Sequence, residues 1–337
     1  MMTLTRYEML LEAQTPIAHH AEVMGNHAVL MDRKLRMPDG TFQKNHIVTA
    51  DTMRHGMRAA STYATLEAAG MLDNPGLSES ALRLLFSGGM VTAKGDAGNI
   101  NLEAYRKMVE LVPSLAIFGG CVDARVVPGQ VQIDDAELIC AESLHRYSDS
   151  IRGYLDGRRP DGVVAAQVVD PRRAHVEQVT RVRMDPLLDP GKRKLLSAGA
   201  EAEVQKRLTS GEVAHEEDDA VAKESSKSSM MPRSFEAICA GSLFRWGLTA
   251  TTYTELELDT LVASIAAFLH HAQVGGKKGT GHGRLKLVAV WGEVAVGHVA
   301  DTSVLTTLDG KSVGALFRAH VKAHATEIKS WLGGVNA

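Results

Sequence analysis

The chain has 337 residues, of which 45% are hydrophobic and 23% are charged, and its net charge is −3. This composition is typical of a globular protein, and no apolar run reaches the roughly 20 residues that span a bilayer. The sequence begins without the apolar region of a secretory signal, and its three cysteines are widely spaced, which excludes a disulfide framework or a cysteine-rich zinc site. We therefore expect a cytoplasmic protein with no membrane contact, no metal and no other cofactor.

Charge is distributed unevenly along the chain. Residues 31–58 carry six Lys or Arg and three acids, and residues 273–288 carry four Lys or Arg and no acid. Residues 211–224 carry six acids and one Lys. Separated patches of opposite charge select partners even when the mean charge is near zero, so an anionic partner is compatible with this chain. Aromatic residues make up only 5% of the chain, which argues against a sheet that stacks bases.

The first elements in chain order are a strand, a loop and a helix. Thr, Tyr and Leu are frequent in 3–12, which predicts a strand. Residues 25–48 are predicted to form a loop, because they are polar and contain Pro38-Asp39-Gly40. A helix is predicted from an N-cap at Asp51 to Gly70, with methionines and alanines on one face.

The middle of the chain mixes short elements with an insertion. Residues 77–112 are predicted to be largely helical, with breaks at glycines. Short strands are predicted at 115–122 and 130–141, and residues 162–184 are predicted to be extended. Residues 186–234 are rich in Pro, Ser and charged residues, which indicates an insertion with a flexible tip.

The C-terminal third has the most regular pattern. A strand is predicted at 235–249, and the Thr254–Glu257 capping box predicts the start of a helix that ends near Ala272. The glycine-rich loop 275–285 follows and leads into the strand LKLVAVWG, and a helix is predicted at 312–332.

The order of these elements predicts the fold class. The strand, helix, loop and strand of the C-terminal third form one β-α-β unit, and 3–12, 51–70 and 115–122 form a looser copy of it. Two such halves predict an α+β, ferredoxin-like (RRM-like) fold with long insertions.

The glycine-rich loop is the strongest local indication of a ligand. Five glycines in nine residues (275–283) allow close approach to the backbone, whose N–H groups can hold an anion. Lys277, Lys278 and Arg284 add cationic donors that suit phosphate. No G-x-x-x-x-G-K-[ST] pattern fits, and a dinucleotide loop would precede a helix rather than a strand.

A second candidate phosphate site lies at 46–58, HIVTADTMRHGMR. The hydroxyl of Thr49 before a helix N-terminus can help to hold a phosphate, and Arg54 and Arg58 would extend the site along one helical face.

Two catalytic alternatives stay open at this point. Fourteen histidines include His19, His20, His27 and His55, and histidine can act as general acid and base in RNA cleavage. No HExxH motif or comparable zinc spacing occurs. Asp32 could instead support metal-dependent cleavage.

In their order, these motifs resemble a known family. VTADTMRHGMR is followed by FGG (118–120), RVRMDP (181–186), SFEAICAGSLFRWGL (234–248) and GGKKGTGHGRL (275–285). This pattern resembles the RAMP superfamily of CRISPR–Cas proteins, within it the guide-RNA-binding "Cas seven-like" backbone subunit, and most closely the backbone subunit of type IV effector complexes.

The resemblance implies a ferredoxin-like palm, helical fingers and a hairpin thumb. The palm would comprise 1–50, 116–185 and 235–337, the fingers 51–115, and the thumb 186–234. Copies would stack head to tail along the guide RNA (crRNA) and present it to a DNA or RNA target. Other effector subunits, and in some type IV systems a helicase, would be further partners.

The resemblance also implies which residues contact the guide. They would bind phosphate and ribose rather than base edges, because guide sequences differ. The expected RNA-binding residues are Thr49, Arg54, Arg58, Lys192, Arg193, Lys194, Gly275, Gly276, Lys277, Lys278, Gly279, Thr280, Gly281, His282 and Arg284.

The sequence departs from the family pattern at one position. Type III relatives carry a target-cleaving Asp that falls near Asn26 or His27 here, so we expect a non-catalytic subunit. The alternatives are a histidine endoribonuclease that processes the guide precursor, and metal-dependent target cleavage by Asp32.

Overall fold

The computed structural model combines antiparallel sheets with helices and is a mixed α+β protein, the class predicted from the sequence. It describes residues 2–24, 27–73, 76–89, 102–122, 125–157, 169–183, 191, 195–210, 231–294 and 313–334. The strands are β1 (Thr3–Ala13), β2 (His20–Met24), β3 (His27–Leu30), β4 (Asp32–Arg36), β5 (Phe42–Val48), β6 (Gly119–Val122), β7 (Arg125–Pro128), β8 (Val131–Ile133), β9 (Ala136–Leu138), β10 (Val176–Arg183), β11 (Met231–Ile238), β12 (Leu243–Thr252) and β13 (Leu285–Val294). The helices are α1 (Ala50–Ala68), α2 (Glu79–Ser87), α3 (Leu102–Leu111), α4 (Ser114–Phe118), α5 (Asp149–Leu155), α6 (Ala198–Ser210), α7 (Glu255–His270), α8 (Ala315–Ala323) and α9 (Ala325–Gly334).

The main sheet is organised around β1. Its strand order is β13-β1-β12-β9-β5-β4, and β8 also pairs with β12. Both β12 and β13 run antiparallel to β1, so they are parallel to each other and are connected through α7. This is a split β-α-β arrangement, with the first strand of the chain inserted between two later ones.

Both faces of β1 are buried. Met9 lies in the larger core with Trp246 of β12 and Met57 of α1. Leu10, which points to the opposite face, packs in a separate cluster with Ile151 of α5. Strands that are covered on both faces read as continuous apolar runs, which is why MLL in β1 shows no alternation.

Helices α1 and α7 pack against each other at close range. A Cβ at Gly56 of α1 would lie 2.7 Å from the Phe268 ring of α7, so glycine permits this approach. Ser264 of α7 donates a 2.8 Å hydrogen bond to Ser61 of α1. The capping box predicted at Thr254 and Glu257 is present and starts α7.

The described residues divide into two compact units. The larger unit comprises Met1–His20, Leu30–Glu177 and Ala237–Ala337, and the smaller comprises Ala21–Val29 and Gln178–Glu236. The smaller unit contains α6 and most of a four-stranded sheet of order β10-β11-β3-β2. Of the insertion with a flexible tip predicted at 186–234, residues 186–190, 192–194 and 211–230 lie outside the described residues.

The prediction of a loop at 25–48 is wrong. Most of this segment is strand, and β4 and β5 form an antiparallel hairpin whose turn contains Pro38-Asp39-Gly40. Gly40 has a φ of +86°, and the Asp39 carboxylate accepts a hydrogen bond from the Thr41 N–H. The turn residues were therefore correct signals, but they connect two strands instead of extending a loop.

Three other boundaries differ from the predictions. Residues 114–118 form a short helix instead of the start of the strand predicted at 115–122. The prediction failed here because an apolar run of this length fits a helix or a strand equally well. The strand predicted at 235–249 is interrupted at Gly241, which has a φ of +85°. The helix predicted at 312–332 is two helices, α8 and α9, separated at His324.

Candidate nucleic-acid interface

The glycine-rich loop connects α7 to β13 and is closed at its base. The backbones of Gln273 and Arg284 form an isolated antiparallel β-bridge, and the Val274 N–H donates to the Gly283 carbonyl at 2.9 Å. At the tip, Lys277 has a left-handed backbone with a φ of 60°, and Lys278–Thr280 form one 3-10 turn. A left-handed backbone costs a lysine about 1 kcal/mol, so the surrounding contacts hold this conformation.

Two of the loop glycines are required by close packing. A Cβ at Gly283, where φ is +90°, would lie 2.0 Å from the Val274 carbonyl oxygen. A Cβ at Gly275, where φ is +73°, would lie 2.7 Å from the Ala18 carbonyl oxygen. Gly279 differs, because its φ is not positive and a Cβ there would have nothing within 4 Å. Packing and backbone conformation therefore do not require glycine at 279, and the main chain there is open to an approaching ligand.

The loop is anchored to residues near the start of the chain. The Gly276 N–H donates to the Ala18 carbonyl at 2.7 Å, and the Gly283 N–H donates to the Pro16 carbonyl at 2.8 Å. The Arg284 N–H donates to the Thr15 hydroxyl at 3.0 Å. These contacts fix both sides of the loop on the same segment of chain.

Side chains within the loop stabilise its tip. The Gln273 amide donates to the carbonyls of Lys278, at 3.2 Å, and His282, at 2.8 Å. The Thr280 hydroxyl donates to the Lys277 carbonyl at 2.9 Å. Sequence reasoning missed Gln273, whose only sequence signal is its place immediately before the glycines.

The predicted loop residues separate into exposed and buried groups. Lys277, Lys278, Thr280 and Arg284 are exposed, and the sequence around them contains no acid. His282 is 7% exposed, so its side chain is part of the loop interior. The loop thus presents a cationic surface with an open main chain, which suits phosphate groups.

The N-terminus of α1 is occupied by groups of the protein itself. The N-cap is Thr49, not Asp51 as predicted, and its hydroxyl accepts from the Thr52 N–H at 3.4 Å. Asp135 accepts from the Ala50 N–H at 2.7 Å, and His19 Nε2 accepts from the Thr49 N–H at 3.3 Å. A carboxylate therefore already neutralises the helix end where a phosphate was predicted.

Arg54 and Arg58 point toward main-chain carbonyls. Arg54 donates to the carbonyls of Val131, at 3.0 Å, and Phe118, at 2.6 Å, and Arg58 donates to Phe118 at 2.7 Å. Burial, and secondly the charge of Arg54, lower the pKa of Arg58 to about 10. Both guanidinium groups therefore fasten α1 to the chain around 118–131, and we leave them out of the phosphate-binding set. Lys192, Arg193 and Lys194 lie outside the described residues.

The Asp32 carboxylate lies close to three basic side chains. His46 Nδ1 lies 2.6 Å from its carboxylate, Lys44 Nζ lies 3.4 Å away, and an Arg172 nitrogen lies 3.8 Å away. Burial raises the pKa of Asp32, but the His46 and Lys44 contacts outweigh this effect, so that the net shift is downward. Over the described ranges of the chain, no group of three or more His, Cys, Asp or Glu could hold a metal ion.

The candidate catalytic histidines have separate surroundings. His19 Nε2 accepts a main-chain N–H and is therefore unprotonated, and burial, then the charge of His20, lower the pKa of His19 while Asp135 raises it. His27 Nδ1 is 2.8 Å from the Ser234 hydroxyl, and His55 is exposed on α1.

In the portion of the chain that the structure covers, no helix is long and apolar enough to cross a membrane.

Comparison with known proteins identifies the fold. No family model and no curated protein matches the sequence. A chain in the solved structure titled "Type IV-B CRISPR Complex" matches with a TM-score of 0.50 and 17% sequence identity, over 87% of this chain and 92% of that chain. This chain therefore shares its fold with a subunit of a CRISPR complex, which agrees at that level with the resemblance in the sequence.

Proposed function

We propose that the chain is a non-catalytic, guide-RNA-binding backbone subunit of a type IV CRISPR effector ribonucleoprotein in the cytoplasm. The observation that carries the proposal is the glycine-rich loop. It offers exposed Lys277, Lys278 and Arg284 beside an open main chain, without a neighbouring acid in the sequence. Such a surface binds phosphates of any nucleotide sequence, which a guide-binding subunit needs.

The sheet supports a ferredoxin-like palm as the base of this site. The order β13-β1-β12-β9, with α1 after β1 and α7 between β12 and β13, corresponds to a β-α-β-β-α-β fold. The glycine-rich loop follows the second of these helices and is fastened beside the end of β1. The likeness to a chain of a type IV-B CRISPR complex supports the same assignment.

The proposal includes the partners. Copies of the chain stack head to tail on the crRNA, which pairs with a DNA or RNA target, and other effector subunits, including a helicase in some systems, complete the complex. A head-to-tail interface does not close on itself, so RNA-bound protein forms filaments. The fingers at 51–115 and the thumb at 186–234 are parts of this proposal.

The experiment is co-expression with a CRISPR array, followed by purification, the 260/280 nm absorbance ratio and sequencing of bound RNA. We expect guide-length RNA with uncut spacers in a large assembly. Lys277→Ala/Lys278→Ala lowers binding equally for unrelated sequences. It also reduces the salt slope, which is the steepness of the fall in log binding constant with log salt concentration, by about 1.4, at about 0.7 per phosphate contact. RNA-free monomer at low salt, or loss restricted to one sequence, contradicts the proposal. Lys322→Ala/Lys329→Ala, exposed on α8 and α9, is the charge-matched control.

A further inference from the structure

The β4–β5 hairpin carries a second cationic surface, which we call the hairpin face and define as Lys34, Arg36, Phe42 and Lys44. In the antiparallel register, Lys34 is opposite Lys44 and Arg36 is opposite Phe42. Side chains two residues apart on a strand share a face, so these four project from the same side of the hairpin. All four are exposed, and Phe42 is 68% exposed.

The positive charge of the hairpin face is only partly balanced. Lys44 Nζ lies 3.4 Å from the Asp32 carboxylate, which also contacts His46 and Arg172. Among the residues that the structure describes, no acidic side chain lies within 4 Å of a nitrogen of Lys34 or Arg36. Of the three cations on the hairpin face, only Lys44 has this carboxylate beside it, so the face keeps a net positive charge.

This arrangement is unfavourable in the unbound chain. Like charges directly opposite each other on paired strands destabilise the pair, and Lys34 faces Lys44 in this way. An exposed phenyl ring beside cations is likewise unexplained by packing. An anion with a flat apolar group compensates both features, because the cations bind the anion and the ring stacks on the flat group.

Protection of a sheet edge accounts for only part of the pattern. Strand β4 is the edge of the main sheet, and lysines on an edge strand prevent edge-to-edge association. That role explains Lys34 and Arg36. It also covers Lys44, because β5 pairs with β9 only at Ile47 and Val48, but it is opposed by the exposed Phe42.

The hairpin begins next to the anchor of the glycine-rich loop. The Met31 N–H, one residue before β4, donates to the His19 carbonyl at 2.8 Å, and the Gly276 N–H donates to the Ala18 carbonyl at 2.7 Å. The two cationic surfaces are therefore fastened to consecutive residues of one segment, within the larger unit.

We propose that the hairpin face binds a nucleic-acid strand, with Lys34, Arg36 and Lys44 on phosphates and one base stacked on Phe42. The inference rests on the proposed function and extends it, because it adds a second binding surface and a stacking contact that the glycine-rich loop does not provide. The ligand chemistry is a single-stranded polynucleotide. The strand is either the guide itself or the strand that pairs with the guide.

The test uses the full-length protein with Lys34→Glu/Arg36→Glu and, separately, Phe42→Ser. Lys322→Glu/Lys329→Glu makes the same change in net charge on other exposed helices and is the control. Fluorescence anisotropy over a salt series measures binding of labelled single-stranded RNA. A second arm measures binding of a complementary strand to the preassembled guide complex. Thermal unfolding followed by circular dichroism establishes that each variant is folded.

We expect the charge variant to lose about 1.4 from the salt slope, for two lost phosphate contacts at about 0.7 each. Phe42→Ser lowers affinity roughly tenfold and leaves the slope unchanged, because it removes stacking only. Loss in the first arm identifies the guide as the bound strand, and loss in the second arm alone identifies the pairing strand. Either result supports the inference.

Unchanged binding in both arms, relative to the control, overturns the inference. The inference also fails if the hairpin substitutions change only the binding of an acidic protein, or only the solubility of the chain. Lys277→Ala/Lys278→Ala is measured in parallel. If it loses RNA while the hairpin variants do not, only this inference fails; if no form of the protein binds RNA, the proposed function fails.

Discussion

The Gln273 side chain closes the glycine-rich loop by donating from Nε2 to the main-chain oxygen of His282, at 2.8 Å. The same nitrogen lies 3.2 Å from the Lys278 oxygen, so one amide holds two points of the loop tip. Gln273 thus acts on the exposed Lys278 through its main-chain carbonyl and carries no charge of its own.

Gln273→Ala separates positioning from charge. We expect RNA affinity to fall roughly fivefold to tenfold, because the tip loses two hydrogen bonds worth about 1 kcal/mol each. The salt slope stays at the wild-type value, because no cation is removed. Exposed Gln132→Ala is the matched control. A slope that falls with affinity, or an unchanged affinity, contradicts the positioning role.

Gly283→Ala and Gly279→Ala separate packing from ligand access. The first substitution forces a Cβ against the Val274 oxygen at a positive φ, and we expect it to destabilise the fold by about 3 kcal/mol. The second substitution places its Cβ in open space, so we expect the midpoint of urea unfolding to be unchanged. The added methyl group partly covers the main chain at 279, so we expect weaker RNA binding. Equal unfolding midpoints for the two variants would show that the loop is not packed as described.

Arg58→Met tests whether α1 contributes to binding or to stability. The methionine keeps the buried volume but loses the donors to the Phe118 carbonyl, so we expect a loss of about 2 kcal/mol in unfolding free energy. RNA affinity, measured below the unfolding transition, keeps its salt slope. A slope reduced by about 0.7 with unchanged stability would return Arg58 to the phosphate-binding set.

Asp32→Asn tests the ion-pair cluster and the nuclease alternative together. The contacts of Asp32 lower its pKa in the fold, so its carboxylate stabilises the protein above the unfolded-state pKa, and this contribution is lost as the pH falls through the folded-state pKa. We expect Asp32→Asn to be destabilised at pH 6 and closer to wild type at pH 3, in urea unfolding at both values.

Cleavage is measured on the same protein with Mg²⁺ and a complementary RNA. We expect no regularly spaced cuts from either form. Mg²⁺-dependent cuts that disappear in Asp32→Asn would instead establish the metal-dependent alternative.

The sequence predicted the elements that depend on local chemistry. The capping box at Thr254, the strand at 3–12 and the methionine face of α1 were predicted because each follows from neighbouring residues. The hairpin at 32–48 was missed because Lys34 and Lys44 give no apolar alternation on the outer face. The bonds from Arg54 and Arg58 to the Phe118 and Val131 carbonyls could not be predicted, since these carbonyls lie 60 to 77 positions away in sequence.

The candidate site was predicted as residues but not as an arrangement. Glycines and lysines at 275–284 were found from composition, yet which glycines serve packing depends on Ala18 and Val274, which only the fold brings near. The burial of His282 and the role of Asp135 at α1 likewise depend on contacts between distant segments.

The insertion of β1 between β12 and β13 has a consequence for synthesis. The anchoring bond from the Arg284 N–H to the Thr15 hydroxyl joins residues 269 positions apart. During translation β1 is synthesised long before β12 and β13, so it cannot pair with them until the end of synthesis. Pairing between such distant segments is slow, so the main sheet forms late. The glycine-rich loop acquires its anchors only in that last step, and a ribosome-bound fragment that lacks residue 284 carries the lysines without the geometry that presents them.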